Sequence, residues 1–445
     1  MTSPVHAPSG SPRATTIDPT VMPSTGFPLP SSTTPTSSER PDWRARLALG
    51  LLHRLVLGRL HLTLPDGQSY WVEGSTSADR FEAALTIRRW SALSKAVQRG
   101  DIGFGEAYMD GDWSSPDLTS LLELLSRNRQ AIAPALYGNR LLLWIDRLQH
   151  LFRSNTRRQS RKNIQAHYDL GNAFYRLWLD ASMTYSSALF DQQGAWGQPV
   201  DLAQGQAAKI HRALDELADG QPFTQDSRIL EIGCGWGGLA LERLKHYPGQ
   251  HLGITLSPAQ KAWADDLLNQ HGLGDRAEIR LQDYRDTTGS FDGIVSIEMI
   301  EAVGMGYWPT YFQTLKRRLK PQGRAVVQAI LIQDALFDRY SQGTDFIQKY
   351  IFPGGMLLTP SRLAQNAESQ GLRLIKSFSF GPDYGRTLHE WLDRFDAVRG
   401  DVGRLGYDER FIAMWRFYLG YCEAGFRSGD LDVVQVTLGH DEAGR

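Results

Sequence analysis

The sequence predicts an α/β protein: a mostly parallel, doubly wound sheet, preceded by a smaller α+β domain and a disordered N-terminal tail. Three observations carry this expectation. From about residue 200 strand-like and helix-like runs alternate, a glycine-rich turn joins the first of those strands to a helix, and residues 1–40 are dominated by Ser, Thr and Pro.

The 445 residues suffice for two or three domains. Hydrophobic residues at 41% and charged residues at 22% are ordinary for globular chains. A net charge of −1 argues against a protein built to coat nucleic acid, and no such partner is expected. Two cysteines, Cys234 and Cys422, cannot frame a disulfide scaffold and suit a reducing compartment. No run approaches the roughly 18–20 apolar residues of a membrane span, and no basic start followed by an apolar run marks a secretory signal. The expectation is a cytoplasmic protein without a metal site.

Residues 1–40 lack the apolar surface to offset their ordering entropy and read as a disordered tail. An N-terminal domain is expected over 41–150 and a catalytic domain over 151–445. At 43–60, Arg44, Arg46, Arg54 and Arg59 interleave with leucines, as in an amphipathic helix with a basic rim. Such a helix either lies on a lipid surface or packs on its own core. From 61 to about 126, strand-like runs followed by a leucine-rich helix predict the small α+β fold. A helical connector over 127–162 ends in Arg153, Arg157, Arg158, Arg161 and Lys162, which could meet anionic lipid or simply be solvated. Beyond 200, SRILEIG, HLGITLS, AEIRLQDY, FDGIVSIEMI and GRAVVQAILI read as strands, with helices between them.

The turn Glu231-Ile-Gly233-Cys-Gly235-Trp-Gly237-Gly238 follows the first of these strands. By itself it also satisfies the dinucleotide pattern GxGxxG. A dinucleotide site needs a carboxylate at the end of the second strand for the ribose, yet that strand ends Gly-Ile-Thr255-Leu-Ser. The carboxylate lies instead before the glycines, at Glu231, where it can hold the ammonium of a methionyl tail. S-adenosylmethionine is therefore the expected cofactor. Thr255 and Gln260 fall where ribose hydroxyls would lie, and Asp283 and Tyr284 where an adenine would sit; each could equally be a strand-end cap.

With GEAYMDGDW, HYDLGN, MTYSSALF, LEIGCGWGGLA, GITLSPAQ, IVSIEMIEAVG, KYIFPGG, FGPDYGRTL and FYLGYCEAGF in this order over roughly 43–437, the chain resembles the cyclopropane-fatty-acyl-phospholipid synthases and related mycolic acid methyltransferases. The resemblance implies a Rossmann-like methyltransferase sheet, and an unsaturated phospholipid as substrate. It also implies a peripheral position at the inner face of the membrane, and a homodimer. Tyr185 and Ser186 are implied to approach the cofactor from a helical segment, with the loop 231–239, Thr255, Gln260, Asp283 and Tyr284 lining its pocket.

Alkylating an alkene leaves a carbocation on the acyl chain, which calls for a dry cavity, aromatic faces and a proton acceptor. The family resemblance implies a bound bicarbonate as acceptor, held by a Cys, a Glu, a His, a Tyr and backbone groups. Glu301 matches the Glu, Tyr384 the Tyr, and Ile330 a backbone donor. The sequence departs at Ser187, in the Cys position, and at Gln328, in the His position. Glu298 stands where the family usually carries Gly, and either faces solvent or joins Glu301 in the pocket, where two close carboxylates would raise one pKa and a carboxylate could serve as base directly. The expected product is a cyclopropane fatty acid; a methyl-branched or methylene chain is the alternative. A methyltransferase acting on a soluble small molecule and an inactive lipid-binding relative are the competing functions. Cys422, in GYCEAGF, could be a nucleophile but reads better as a packing residue, because direct transfer to an alkene needs no thiolate. His167 and Asp169 suggest acid–base work or, more simply, a helix cap.

Overall fold

A computed structural model describes residues 40–76, 81–136, 170–190, 201–219 and 221–441, the side chains of 133–136 excepted. The tail up to residue 39, the basic cluster Arg153–Lys162, His167 and Asp169 lie outside the described residues.

Helix α1 (Trp43–Leu52) starts where the Asp42 carboxylate accepts from Ala45 N, and buries Ala45, Ala48, Leu51 and Leu52 against α2 (Ser91–Met109) and the later α4. One face of the 43–60 segment thus packs on its own core, while Trp43 and Leu47, one turn apart, stay 62% and 42% exposed. Strands β1 (Arg59–Thr63), β2 (Ser69–Glu73), β3 (Glu82–Ile87) and β4 (Trp113–Ser114) form a small sheet in the order β2-β1-β3-β4. Leu60 and Leu62 of β1 alternate inward, the period-2 pattern of a half-buried strand. Helices α3 (Leu118–Arg127) and α4 (Arg129–Leu136) complete this part, the expected small α+β fold.

The large sheet begins after α5 (Gly171–Trp178) and α6 (Leu202–Ala218). Strand β5 (Arg228–Ile232) leads through α7 (Gly238–His246) to β6 (Gln250–Thr255), then through α8 (Pro258–Gln270) to β7 (Ala277–Leu281). The chain crosses back to β8 (Phe291–Ile297) and, by α9 (Trp308–Arg318), to β9 (Leu319–Ile332). Helices α10 (Asp334–Gln342), α11 (Phe346–Tyr350) and α12 (Pro360–Ser369) precede β10 (Leu372–Ser379), and α13 (Gly381–Ala397), α14 (Arg399–Arg404) and α15 (Glu409–Arg427) precede β11 (Leu431–His440). The strand order is β10-β11-β9-β8-β5-β6-β7, with β5 to β9 paired in parallel and β11 antiparallel to both neighbours. The order reverses at β5, so the glycine turn sits at the switch point where doubly wound sheets take their ligands.

Two local expectations need correction. The strand read through Ile300 stops at Ile297, because Glu298 has φ +49, a left-handed conformation that ends the extended run. The MTYSSALF segment carries no helix: Met183 has φ +54 and the Asp180 carboxylate ties Ser182 N into a turn at 2.8 Å.

The described residues from Arg40 onward form one contact unit. Helix α15 is the joint: it packs on α2 and α3 below the small sheet and on α13 beside the large one. Trp415, Phe417 and Leu419 are buried in that packing, and truncating such a residue costs about 3–5 kcal/mol for an aromatic.

Candidate active site

Strand β5 is buried from Ile229 to Ile232 and delivers Glu231 to the start of the turn. Gly233, Gly235 and Gly237 take φ of +86, +50 and +88, which only glycine adopts without strain. The N–H groups of Gly233 and Cys234 both donate to Ile254 O, at 2.9 and 3.0 Å, clamping the turn to the end of β6. Gly233, Gly235 and Gly238 face a cavity of about 1210 Å³. Gly237 does not: its Cα lies against Ala264, and serves close helix–helix packing instead.

Around the turn the cavity is lined by Glu231, Tyr185, Ser186, Thr255, Gln260 and Tyr284. Glu231 accepts from the buried His251 Nε2 at 2.9 Å. Thr255 Oγ1 donates to Gln260 Oε1 at 2.8 Å, and the pair forms one polar edge. The Tyr284 hydroxyl is buried with no hydrogen-bond partner among the described residues, and burial pushes it up to about 12. Asp283 is a correction. Its carboxylate accepts from Arg285 N, Nε and Nη2 at 2.6–3.0 Å and turns away, and Gln282 lines the wall in its place. A carboxylate for a cation, an orphaned hydroxyl and a glycine cradle where a Cβ on Gly235 would meet nothing within 4 Å fit S-adenosylmethionine.

Beside this pocket three donors converge on Glu298. Ser187 N and Gln328 Nε2 donate to its Oε1 at 2.8 and 2.7 Å, and the Tyr384 hydroxyl donates to Oε2 at 2.6 Å. Ser187 and Gln328 were expected to hold a free anion and to line the site; neither lines the cavity. The Ser187 hydroxyl turns to Ala188 O at 2.9 Å, and Gln328 is oriented from behind by Gln435 Nε2 at 3.0 Å. They hold a side-chain carboxylate instead. Glu298 does not face solvent: it lines the cavity, enclosed by protein.

Glu301 lies next to it. Ile330 N donates to Glu301 Oε1 at 2.6 Å, while Oε2 is buried without a hydrogen-bond partner. Burial first, and the Glu298 charge second, push Glu301 up to about 8. Burial also raises Glu298, and Lys209, Tyr384, Ser187 N and Gln328 offset only part of that rise. The shared negative charge therefore rests on Glu298, and Glu301 keeps its proton at neutral pH. Between about pH 4.5 and 8 the folded state binds a proton that the unfolded chain has released, so this group's contribution falls as pH rises through that window. The expected result is a melting temperature that declines more steeply from pH 5 to 8 in the native protein than in Glu301→Gln, checked by thermal melts across that range.

Lys209 was not anticipated from sequence. It is fully buried on α6, donates from Nζ to Ser186 Oγ at 2.6 Å, and is lowered to about 8 by burial. Glu298 is its largest electrostatic partner. A lone lysine in an amphipathic run gives no sign of burial, so only the fold reveals it. Aromatic rings close the other side. The Tyr185 hydroxyl meets that of Tyr418 at 2.6 Å, and its ring lies 5.3 Å from Trp391 and 5.5 Å from both Trp178 and Tyr175.

From Glu298 the cavity runs on past Phe352, Met356 and Leu388 to Phe104, Leu122, Leu125 and Phe417. One continuous space thus joins the glycine turn to an apolar channel between α2, α3 and α15. Cys422 lines that channel, and burial raises its thiol well above the usual range, so it stays protonated. Cys422→Ser should keep the methyl-transfer rate within about threefold of native, whereas a nucleophile would lose several orders of magnitude; a steady-state rate assay decides.

Residues 155–436 match the family model described as mycolic acid cyclopropane synthetase. The chain belongs to that family. It is 40% identical to the tuberculostearic acid methyltransferase UfaA1 of Mycobacterium tuberculosis, over 85% of this chain and 87% of the relative. It is 33% identical to the cyclopropane-fatty-acyl-phospholipid synthase of Escherichia coli strain K12, over 82% and 89%. The solved mycolic acid cyclopropane synthase CmaA1, in complex with SAH and CTAB, superposes with a TM-score of 0.57 at 29% identity, covering 62% of this chain and 97% of that one. A family member of this kind is an S-adenosylmethionine-dependent methyltransferase of the cyclopropane synthase type, and its family acts on lipid double bonds.

Proposed function

We propose that this enzyme adds the methyl carbon of S-adenosylmethionine to the double bond of an unsaturated acyl chain in a membrane phospholipid, with Glu298 as the proton acceptor. One observation carries the reading: three of the positions that the family resemblance assigns to a bicarbonate, Ser187, Gln328 and Tyr384, donate instead to the Glu298 carboxylate, at the junction of the glycine-turn pocket and the apolar channel. No bicarbonate is then needed.

Bound S-adenosylmethionine supplies an electrophilic methyl on a sulfonium. Glu231 would hold its ammonium, Thr255 and Gln260 its ribose, and Tyr284 its base. The apolar channel excludes water, and the rings of Tyr185 and Tyr418 on its wall would supply electron-rich faces where the alkene pair takes the methyl, the bond from that carbon to sulfur breaking to leave a neutral thioether and a cation on the neighbouring carbon. Glu298 then takes one proton of the added carbon, and Lys209 keeps that carboxylate ionised beforehand. If the C–H electrons close onto the cation, the product is a cyclopropane, as expected from sequence. If a 1,2-hydride shift first moves the charge to the branched carbon, the same proton loss gives a methylene branch of equal mass. The 40% identity to a relative named as a tuberculostearic acid methyltransferase favours the methylene branch. The cyclopropane remains the second reading, favoured by the family description.

Among the described residues no helix is long and apolar enough to cross a membrane, so lipid would be met at the surface. The exposed Trp43 and Leu47, with Arg44 beside them, suit the headgroup boundary. The test is labelled-methyl transfer into unsaturated phospholipid vesicles, with the product solved by NMR: exocyclic methylene protons support the branch and upfield ring protons the cyclopropane. Absence of label from lipid, with transfer to a soluble acceptor, would overturn the substrate class.

A further inference from the structure

Away from the reaction site, three side chains with metal-binding atoms meet on the outer surface of α6 and α7. His211 lies on α6, and Glu242 and His246 lie one turn apart on α7, so both of the latter point to the same side. Glu242 Oε2 is 3.2 Å from His211 Nε2 and 3.5 Å from His246 Nε2. All three candidate atoms lie within 4.8 Å of one another. The two imidazoles are 4.9 Å apart, edge to face.

We propose that His211, Glu242 and His246 bind one divalent transition-metal ion, zinc by preference, as a clasp between α6 and α7. A tetrahedral ion with bonds of about 2.0–2.1 Å holds its ligand atoms about 3.4 Å apart, close to both N···O separations. A hydrogen-bonded cluster fits less well. The second imidazole, at 3.5 Å, is too far for a firm bond to an oxygen that the first already occupies. Two imidazoles and one carboxylate are the ligand set of borderline metals. Lys245 approaches only the other oxygen, Oε1, at 3.9 Å, and leaves Oε2 for the metal. Side-chain exposure rises from 10% at His211 through 25% at Glu242 to 52% at His246, so the site is anchored inside and open outside, with its fourth position left to water.

The clasp has a purpose that the fold makes visible. Helix α6 presents Lys209 to Ser186 Oγ and Gln206 to Ser186 O, at 2.6 and 2.8 Å. Helix α7 begins at the glycine turn. An ion joining them would hold the cofactor turn and the buried lysine in register. No metal was expected from sequence, because 31 residues separate His211 from Glu242.

The experiment uses tag-free full-length protein, stripped with a chelator and titrated with Zn²⁺ against a chromogenic indicator. The native chain should bind one equivalent with micromolar or tighter affinity and melt at a higher temperature with Zn²⁺ present. His246→Ala, at a half-exposed position, should fold and melt like the native protein without metal, bind Zn²⁺ at least about tenfold more weakly, and show no Zn²⁺-dependent melting shift. Glu242→Gln should behave the same way. Binding by the native chain no tighter than by His246→Ala, or a melting shift that survives in both variants, would overturn the proposal.

Discussion

Glu298→Gln should lower the turnover number by about 10²–10⁴, the range for loss of a positioned general base. Glutamine fills the same space: its Oε1 can still accept from Ser187 N and Gln328, and its amide N–H can donate to the Tyr384 hydroxyl oxygen, but it cannot take a proton. The companion variant is more telling. Glu298 sits at φ +49, a conformation that costs a residue with a Cβ on the order of 1–2 kcal/mol and glycine almost nothing. Glu298→Gly should therefore fold without backbone penalty, and leave the same three donors facing a small gap of carboxylate size. Bicarbonate added to that variant should restore at least about a tenth of the lost rate, consistent with bicarbonate taking up the base role, while the native enzyme should be indifferent to bicarbonate removal. Assays in degassed buffer, with and without added bicarbonate, check both halves. A native enzyme that stalls without bicarbonate would remove Glu298 from the base role.

The second large effect is on cofactor binding. Glu231→Gln should raise the dissociation constant for S-adenosylmethionine by about 10–100-fold, since an ion-assisted hydrogen bond in a buried site contributes about 1.5–3 kcal/mol. The amide oxygen still accepts from His251 Nε2, which lies 2.9 Å from the native carboxylate, so the strand end stays intact. Turnover at saturating cofactor should change far less than affinity, because Glu231 lies on the turn side of the site, away from the proposed base Glu298. Calorimetric titration gives the constant directly. Equal loss in turnover and affinity would place Glu231 in the chemical step.

Much of the site was readable because it is local in sequence. Glu231 and the glycines precede one helix by a fixed spacing, and Thr255 with Gln260 follow the next strand by the same geometry, so a strand–turn–helix pattern alone placed them. Asp283 failed because a competing local partner, Arg285, lies two residues on and takes its carboxylate, which spacing cannot reveal. Gly237 failed because its neighbour is Ala264 on another helix. The helical reading of the Tyr185 segment failed at the left-handed Met183.

The sequence by itself determined the α/β class, the cofactor and the identity of the acids at issue, since period, turn chemistry and residue type act over a few neighbours. It gave no account of the two last strands, β10 and β11, which close the parallel sheet with an antiparallel strand. Only the tertiary structure decided where Glu298 points, which donors it takes, and that Lys209 is buried beside it. Those depend on residues brought together from α6, the segment before it, the end of β8, β9 and α13 across gaps of 23 to 111 positions. Burial and opposing charge, not residue type, set which carboxylate keeps its proton.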